Sequence, residues 1–427
     1  MKTNIQRDPS CADDYDPASL SVDEARTKIQ EGMQPLLSKE KLALRSCLNR
    51  VLAEDINSPL EVPAHTNSAM DGYAIIGSDL PDEGEVKCYE VIGTAFAGVV
   101  FEGTCQAGQV VRIMTGAVIP NGCDTVVMQE HVEVLDEVDN QPKIQLGGGH
   151  QVGQNVRHAG EDIAIGDVVL SKGRRITPAD LGVLASLGIG EIFVYRRPRV
   201  AFFSTGDELR SIGETLEKGQ IYDSNRYTLY GMLKRLNVEI FDMGVINDHP
   251  DTMREAFKMA AEMADVIITS GGVSVGEADY IKPILEELGE INFFKIAMKP
   301  GRPLTFGKVD NARFFGLPGN PVSVMVTFYQ FVQPALQYLS SGQINFPRTI
   351  QARCKTALRK RPGRFEFQRG IYEQAENGEI LVSKTGQQGS GILSSMSQAN
   401  CFILLSVETT SLEVGEMVEI QPFDGFI

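Results

Sequence analysis

From Pro198 onward strand-like and helix-like segments alternate, and no other feature constrains the fold as strongly. RVAFFST, SNRYTLYGMLKRL, VEIFDMGVI, DTMREAFKMAAEMA, DVIITS, DYIKPILEELG and INFFKIAM follow one another with short breaks. Strands separated by helices are joined by crossovers, which makes neighbouring strands parallel and lays helices on both faces of the sheet. Val266, Ile267 and Ile268 are β-branched and packed without alternation, as in a strand covered on both sides. Two more strands, PLTFGKV and RFFGLPG, lead to a long apolar helix beginning at Pro321. Residues 196–345 therefore read as a doubly wound, mostly parallel α/β domain.

The flanks follow other periods. Ser21 with Glu24 three residues later forms a capping box, and Val22, Ala25, Ile29 and Met33 fall on one helical face, so a first helix is expected to about Pro35. Residues 62–155 carry short apolar runs separated by Gly, Pro and Asn, including VVRIMTGAVIPNG and CDTVVMQEHVEVL, which read as a β-rich module. Thr177 is a plausible N-cap before Pro178, with a helix end near Gly188. Residues 17–61 and 156–195 are taken together as a small, mixed, discontinuous linker domain. Beyond Phe346 helical periodicity disappears, and 346–427 read as a small β-barrel or sandwich. Residues 1 to about 17 are polar and read as a disordered leader. The fold class is thus multidomain, α/β plus β.

At 427 residues the chain is long enough for two to four domains at roughly 100 to 200 residues each. Its net charge of −16 disfavours nonspecific binding to nucleic acid or an anionic membrane, so an anionic ligand needs local basic groups. The seven cysteines are dispersed and include no C-x-x-C pair, which fits reduced thiols in the cytoplasm. No apolar run reaches the roughly 18 residues of a membrane span, and the N-terminus has no apolar signal core.

In an open α/β sheet ligands bind at the carboxyl ends of the strands. The loops there share a character. RVAFF runs into Ser204, Thr205, Gly206, Asp207 and Glu208; the strand ending near Ile246 runs into Asn247 and Asp248; DVIITS runs into Ser270, Gly271, Gly272, Ser274, Glu277 and Asp279. Hydroxyls and glycine N–H groups suit a phosphate cradle, and the carboxylates suit Mg²⁺ shared with substrate phosphate. The bland alternative is that Asp207 and Asp248 cap helices. Lys295, Lys299 and Arg302 cluster next; if Lys295 and Lys299 lie on one strand, a spacing of four puts them on one side. GLPGNPVS offers a turn and a helix start with free N–H groups. In the flanking modules, Asp71 in NSAMDGYA, Thr115 in RIMTGAVIP, Asp162 in RHAGEDI, Arg369 in RFEFQRG, and Ser390, Ser394 and Ser395 are further candidates. Arg369 has the planar fork that grips a tetrahedral oxyanion.

In this order, NSAMDGYA, RIMTGAVIP, HAGEDI, FFSTGDEL, ITSGGVSVGEADY, KIAMKPGRPLTFG, GLPGNPVS, FQRG and GSGILSSMSQAN closely resemble the molybdopterin molybdotransferase family, to which bacterial MoeA and the gephyrin E domain belong. The resemblance spans nearly the whole chain. It implies a molybdopterin-binding α/β domain and an enzyme of molybdenum cofactor biosynthesis, which inserts molybdate into adenylylated molybdopterin and releases AMP with Mg²⁺. It implies roles for Asp71, Thr115, Asp162, Glu208, Asp248 and Asp279 in catalysis, the last three of these also holding metal. Ser204, Gly206, Asp207, Ser270, Gly271, Gly272, Ser274, Lys295, Lys299, Arg369 and Ser390 would bind substrate. It further implies a cytoplasmic homodimer in which Asp71 and Thr115 act across the subunit interface, an adenylyltransferase that supplies the substrate, and acceptor molybdoenzymes or their chaperones. Two departures stand out: His65 and Thr66 replace a frequent Phe and Asp, and Arg302 replaces a frequent Lys. Two other readings remain. The adenylyltransferases resemble only about residues 199 to 340, and a scaffold of the gephyrin E type has no need of the carboxylates and lysines.

Overall fold

A computed structural model describes residues 19–138, 141–271, 281–343 and 346–423. The expected leader, over residues 1 to about 17, lies outside them. The chain forms two compact units, one taking the residues up to Glu40 and from Tyr195 onward, the other Lys41–Val194. The five-part division read from the sequence is finer than this and stays a proposal.

The first helix, α1 (Val22–Glu31), belongs to the larger unit and carries the expected capping box: the Ser21 N–H donates to Glu24 Oε2 at 2.7 Å and the Glu24 N–H to Ser21 Oγ at 3.2 Å. Val22, Ala25 and Ile29 face a core that includes Phe328, Phe331 and Val332. The helix stops at Glu31, short of Pro35. Glycine at 32 disfavours another turn, and a proline ring at 35 cannot supply the next hydrogen bond.

The unit Lys41–Val194 is built on a six-stranded sheet of β1 (Gly72–Ile75), β2 (Val86–Ala95), β3 (Gln109–Ile113), β4 (Thr125–Met128), β5 (Val132–Val138) and β6 (Gln141–Gly147), in the order β4-β1-β3-β2-β6-β5. Successive side chains point to opposite faces. Tyr73, Ile75 and Val127 accordingly enter one core and Ala74, Val111 and Val126 another. Helix α2 (Pro178–Ser186) begins after a Thr177 cap, as its sequence predicts, and buries Leu184 against Leu52, Ile176 and Val194.

In the larger unit the chain then runs β7 (Arg199–Thr205), α3 (Ser224–Arg235), β8 (Glu239–Ile246), α4 (Pro250–Met263), β9 (Val266–Ser270), α5 (Ile281–Leu288), β10 (Gly289–Lys295), β11 (Pro303–Val309) and β12 (Ala312–Leu317). The strand order is β8-β7-β9-β12-β11-β10. The first four are parallel; β11 and β10 are antiparallel to their neighbours. The reversal follows from short links, because the two residues between β11 and β12 cannot make a crossover. Val200, Phe202, Val266 and Ile268 feed one face, Ala201, Phe203 and Ile267 the other, where Phe257 of α4 and Leu285 of α5 cover them. The sheet is doubly wound and mostly parallel, as the alternation requires.

Helix α6 (Pro321–Thr327) passes through a π-helical turn, Phe328–Val332, into α7 (Gln333–Ser341). The last region is a closed five-stranded barrel of β13 (Ile350–Cys354), β14 (Phe365–Gln374), β15 (Ile380–Lys384), β16 (Cys401–Leu405) and β17 (Met417–Pro422), with α8 (Leu393–Gln398) between β15 and β16. The β14–β16 pairing closes it and leaves no free edge inside the ring. A two-residue strand, Met298–Lys299, adds to β14 from outside.

Candidate functional site

Because β8, β7, β9 and β12 are adjacent and parallel, their carboxyl ends share one rim of the sheet. Ser204 on β7 and Ser270 on β9 are register partners and both are buried. The Ser204 and Thr205 hydroxyls have no hydrogen-bond partner among the described residues. Ser270 Oγ accepts from Asn225 Nδ2 at 2.8 Å, and the same nitrogen donates to the Gly319 carbonyl at 2.7 Å. Gly271 has φ +94°, and a Cβ there would stand 2.8 Å from the Thr205 carbonyl, so the turn requires glycine. Its N–H is not open to a ligand, because it donates to the Leu317 carbonyl at 3.1 Å. The hydroxyls, rather than that amide, are the rim's candidate anion donors. Gly272, Ser274, Glu277 and Asp279 lie outside the described residues.

The carboxylates meet at the β7 and β8 ends. The Asp248 N–H donates to Asp207 Oδ1 at 3.3 Å. Neither aspartate caps a helix: α3 is capped by Asp223, and α4 follows His249. Burial, then the charges of Asp207 and Glu208, push the Asp248 carboxyl above its usual value. A cation would relieve that repulsion, and an all-oxygen donor set suits Mg²⁺, which takes one or two carboxylates and fills its shell with phosphate oxygens and water. Among the described residues no three His, Cys, Asp or Glu are gathered into a ready metal cage. Glu208 is exposed, and Gly206 before it, at φ +145°, is confined to glycine.

The basic residues are placed differently from the spacing argument. Strand β10 ends at Lys295, and Lys299 lies on the separate Met298–Lys299 strand, so a shared strand face does not apply. Both lysines are exposed, and Lys299 Nζ stands 3.5 Å from Glu366 Oε1. Arg369 on β14 is buried. Its guanidinium donates to Ser395 Oγ at 3.0 Å and to the carbonyls of Gly389 at 2.9 Å and Gln387 at 3.4 Å, while burial lowers its pKa to about 10. The fork thus faces inward and braces the loop that bears Ser390. The Ser390 carbonyl accepts the Val322 N–H at 3.1 Å, which uses one of the helix-start amides expected to be free after GLPGNP.

In the unit Lys41–Val194, Asp71 Oδ1 accepts both the N–H and the hydroxyl of Thr115, at 2.6 and 2.7 Å. These bonds hold the Asp71 carboxyl below the usual carboxylate range. Asp162 is exposed on another turn, its N–H donating to the Val62 carbonyl at 3.1 Å. Asn225, Glu366 and Gln388 join the candidates only in the folded chain, through their bonds to Ser270, Lys299 and Arg369. An Asn two residues after an Asp cap, as in YDSNR, was the available signal for the first.

Residues 20–188 match the MoeA N-terminal region (domain I and II), residues 201–338 a probable molybdopterin binding domain, and residues 351–423 the MoeA C-terminal region (domain IV). The chain is 46% identical to the molybdopterin molybdenumtransferase of Haemophilus influenzae, over 96% of this chain and 100% of that protein. The corresponding protein of Bacillus subtilis is 36% identical over 94% and 93%. Gephyrin of Dictyostelium discoideum is 35% identical over 93% of this chain and 61% of its own length. The crystal structure of the molybdopterin biosynthesis MoeA protein of Pyrococcus horikoshii superposes with a TM-score of 0.81 at 31% identity, covering 95% of this chain and 100% of that one. With N-terminal, molybdopterin-binding and C-terminal segments in one order along nearly its whole length, the chain belongs to the MoeA family.

Proposed function

We propose that this protein is a molybdopterin molybdenumtransferase of molybdenum cofactor biosynthesis, which inserts molybdate into adenylylated molybdopterin and releases AMP. The observation that carries the reading is end-to-end identity with curated molybdopterin molybdenumtransferases. The rim supplies matching chemistry. Ser204 and Ser270 would donate to phosphate oxygens, with Gly206 and Gly271 shaping their turns. Asp207, Glu208 and Asp248 would hold Mg²⁺, whose contribution is to neutralise charge on the phosphoanhydride. Lys295 and Lys299 would offset the charge of molybdate, and Arg369 would fix the Ser390 loop beside them. Gly272, Ser274 and Asp279 join this set on sequence grounds.

Asp71, oriented by Thr115, would act on the same substrate from the partner subunit of a homodimer, and Asp162 is a further catalytic candidate outside the α/β domain. Among the described residues no helix is long and apolar enough to cross a membrane, and the reading puts the protein in the cytoplasm. An adenylyltransferase would precede it, and acceptor molybdoenzymes or their chaperones would come after it. The test incubates purified protein with adenylylated molybdopterin, Mg²⁺ and molybdate. AMP release that requires molybdate, together with reconstitution of a molybdenum-free apoenzyme, supports the reading; absence of both overturns it.

A further inference from the structure

The first turn of α3 is fastened to β8, to the end of β9 and to the segment just past β12. Asp223 Oδ1 accepts the Arg226 N–H at 3.1 Å, and Arg226 Nε reaches Asp242 on β8 at 2.8 and 3.0 Å. Asn225, held between these anchors, donates from Nδ2 both to Ser270 Oγ at the end of β9 and to the Gly319 carbonyl just past β12. A carbonyl only accepts, so this bond fixes which way the amide faces. Its Oδ1 is buried without a partner among the described residues. A serine hydroxyl has one proton to give. With Asn225 serving as donor to Ser270 Oγ, that proton is left for a different acceptor.

We propose that Asn225 is a positioning residue for the substrate's phosphate: it holds the Ser270 hydroxyl as acceptor on one side, so that its O–H is delivered to a phosphate oxygen. This deepens the reading of the rim as the site for adenylylated molybdopterin and rests on it. A carboxylate at 225 would reverse the bond. It would accept the Ser270 proton itself, face the Gly319 carbonyl with an oxygen, and add negative charge beside an anion.

The test is a double-mutant cycle read by the Kd of adenylylated molybdopterin without molybdate, alongside kcat at saturation and the unfolding midpoint. Ser270→Ala and Asn225→Ala should each weaken binding about 10-fold, the equivalent of one hydrogen bond to a charged group. The double variant should be no weaker than either single one, and kcat at saturation should stay within about 3-fold, because the shared contact is to the bound substrate. Asn225→Asp should lose at least as much affinity as Asn225→Ala, and in the Ser270→Ala background only the part of that loss due to its added charge should remain. Being near-isosteric, it also carries the test if Asn225→Ala does not fold. Losses that multiply to about 100-fold in the double variant, or unchanged affinity with only a lower unfolding midpoint, overturn the proposal. Wild-type protein that binds the substrate but transfers no molybdenum refutes the proposed function and leaves this cycle readable.

Discussion

Asp248 is held at a site that disfavours its charge, because burial and the neighbouring Asp207 and Glu208 all raise its carboxyl pKa. A raised acid pKa means that the folded state binds the proton more tightly than the unfolded one. The associated stability is therefore full below the ordinary aspartate pKa and is lost as pH rises through the folded value. At neutral pH the ionised carboxylate is a cost, so Asp248→Asn should raise the unfolding midpoint there, and the gain should fade in acid. Mg²⁺ should stabilise wild type and do less for the variant. Thermal unfolding across pH with and without Mg²⁺ checks both, and a variant less stable than wild type at neutral pH contradicts the account. Lys299 and Arg369 separate in the same kind of measurement. Lys299 is exposed and its ion pair with Glu366 adds little stability. Lys299→Ala should raise half-saturating molybdate by about 10- to 150-fold with the midpoint unchanged. Arg369→Ala should raise it too, but should also lower the midpoint, since it strips three bonds from the segment Gln387 to Ser395. Equal effects of the two substitutions on unfolding would count against this division of labour.

Strand β8 delivers Asp248 by way of a bulge. Phe202 pairs with Asp242 and Ser204 with Val245, so Met243 and Gly244 together face Phe203. Gly244 has φ +82° and its N–H donates to Asp242 Oδ1 at 3.0 Å. Such a bulge bends the strand end and re-aims the residues beyond it. A Cβ at Gly244 would meet no atom within 4 Å, so substitution there acts through backbone conformation alone. Gly244→Ala should cost about 1 to 2 kcal/mol, and it should raise the Mg²⁺ concentration needed for AMP release. Unchanged Mg²⁺ dependence would show that the bulge does not set the position of Asp248. The elements themselves were legible in the sequence, because periodicity is local: the capping box at Ser21, the N-cap at Thr177 and the Val266 strand all lie where their patterns place them. The antiparallel edge was not, since it depends on link lengths that only exact strand ends reveal. Lys295 and Lys299 fall on separate strands for the same reason. At the rim, the carboxylates could be read because each comes directly after a strand. For Asn225 the sequence carries a local signal of the helix start only, because its partners lie 45 and 94 residues away.

At the scale of the molecule, the candidate residues divide between two compact units: Asp71, Thr115 and Asp162 lie in one, and the strand-end rim, the lysines and Arg369 in the other. If the working assembly is a homodimer with composite sites, two inactive chains can repair each other. Asp71→Asn removes the charge that Thr115 orients, and Asp248→Asn removes one from the rim. In a mixed dimer, one composite site receives both lesions and the other receives neither. Random pairing at equal amounts makes about half the dimers mixed, each with one intact site, so about a quarter of wild-type activity should return. Differently tagged subunits are co-expressed, and mixed dimers are verified by mass spectrometry and then assayed for molybdate-dependent AMP release. If each site were built within one subunit, every site would carry a lesion and no activity would return. Verified mixed dimers without rescue would therefore assign Asp71 and the rim to the same chain and overturn the shared site.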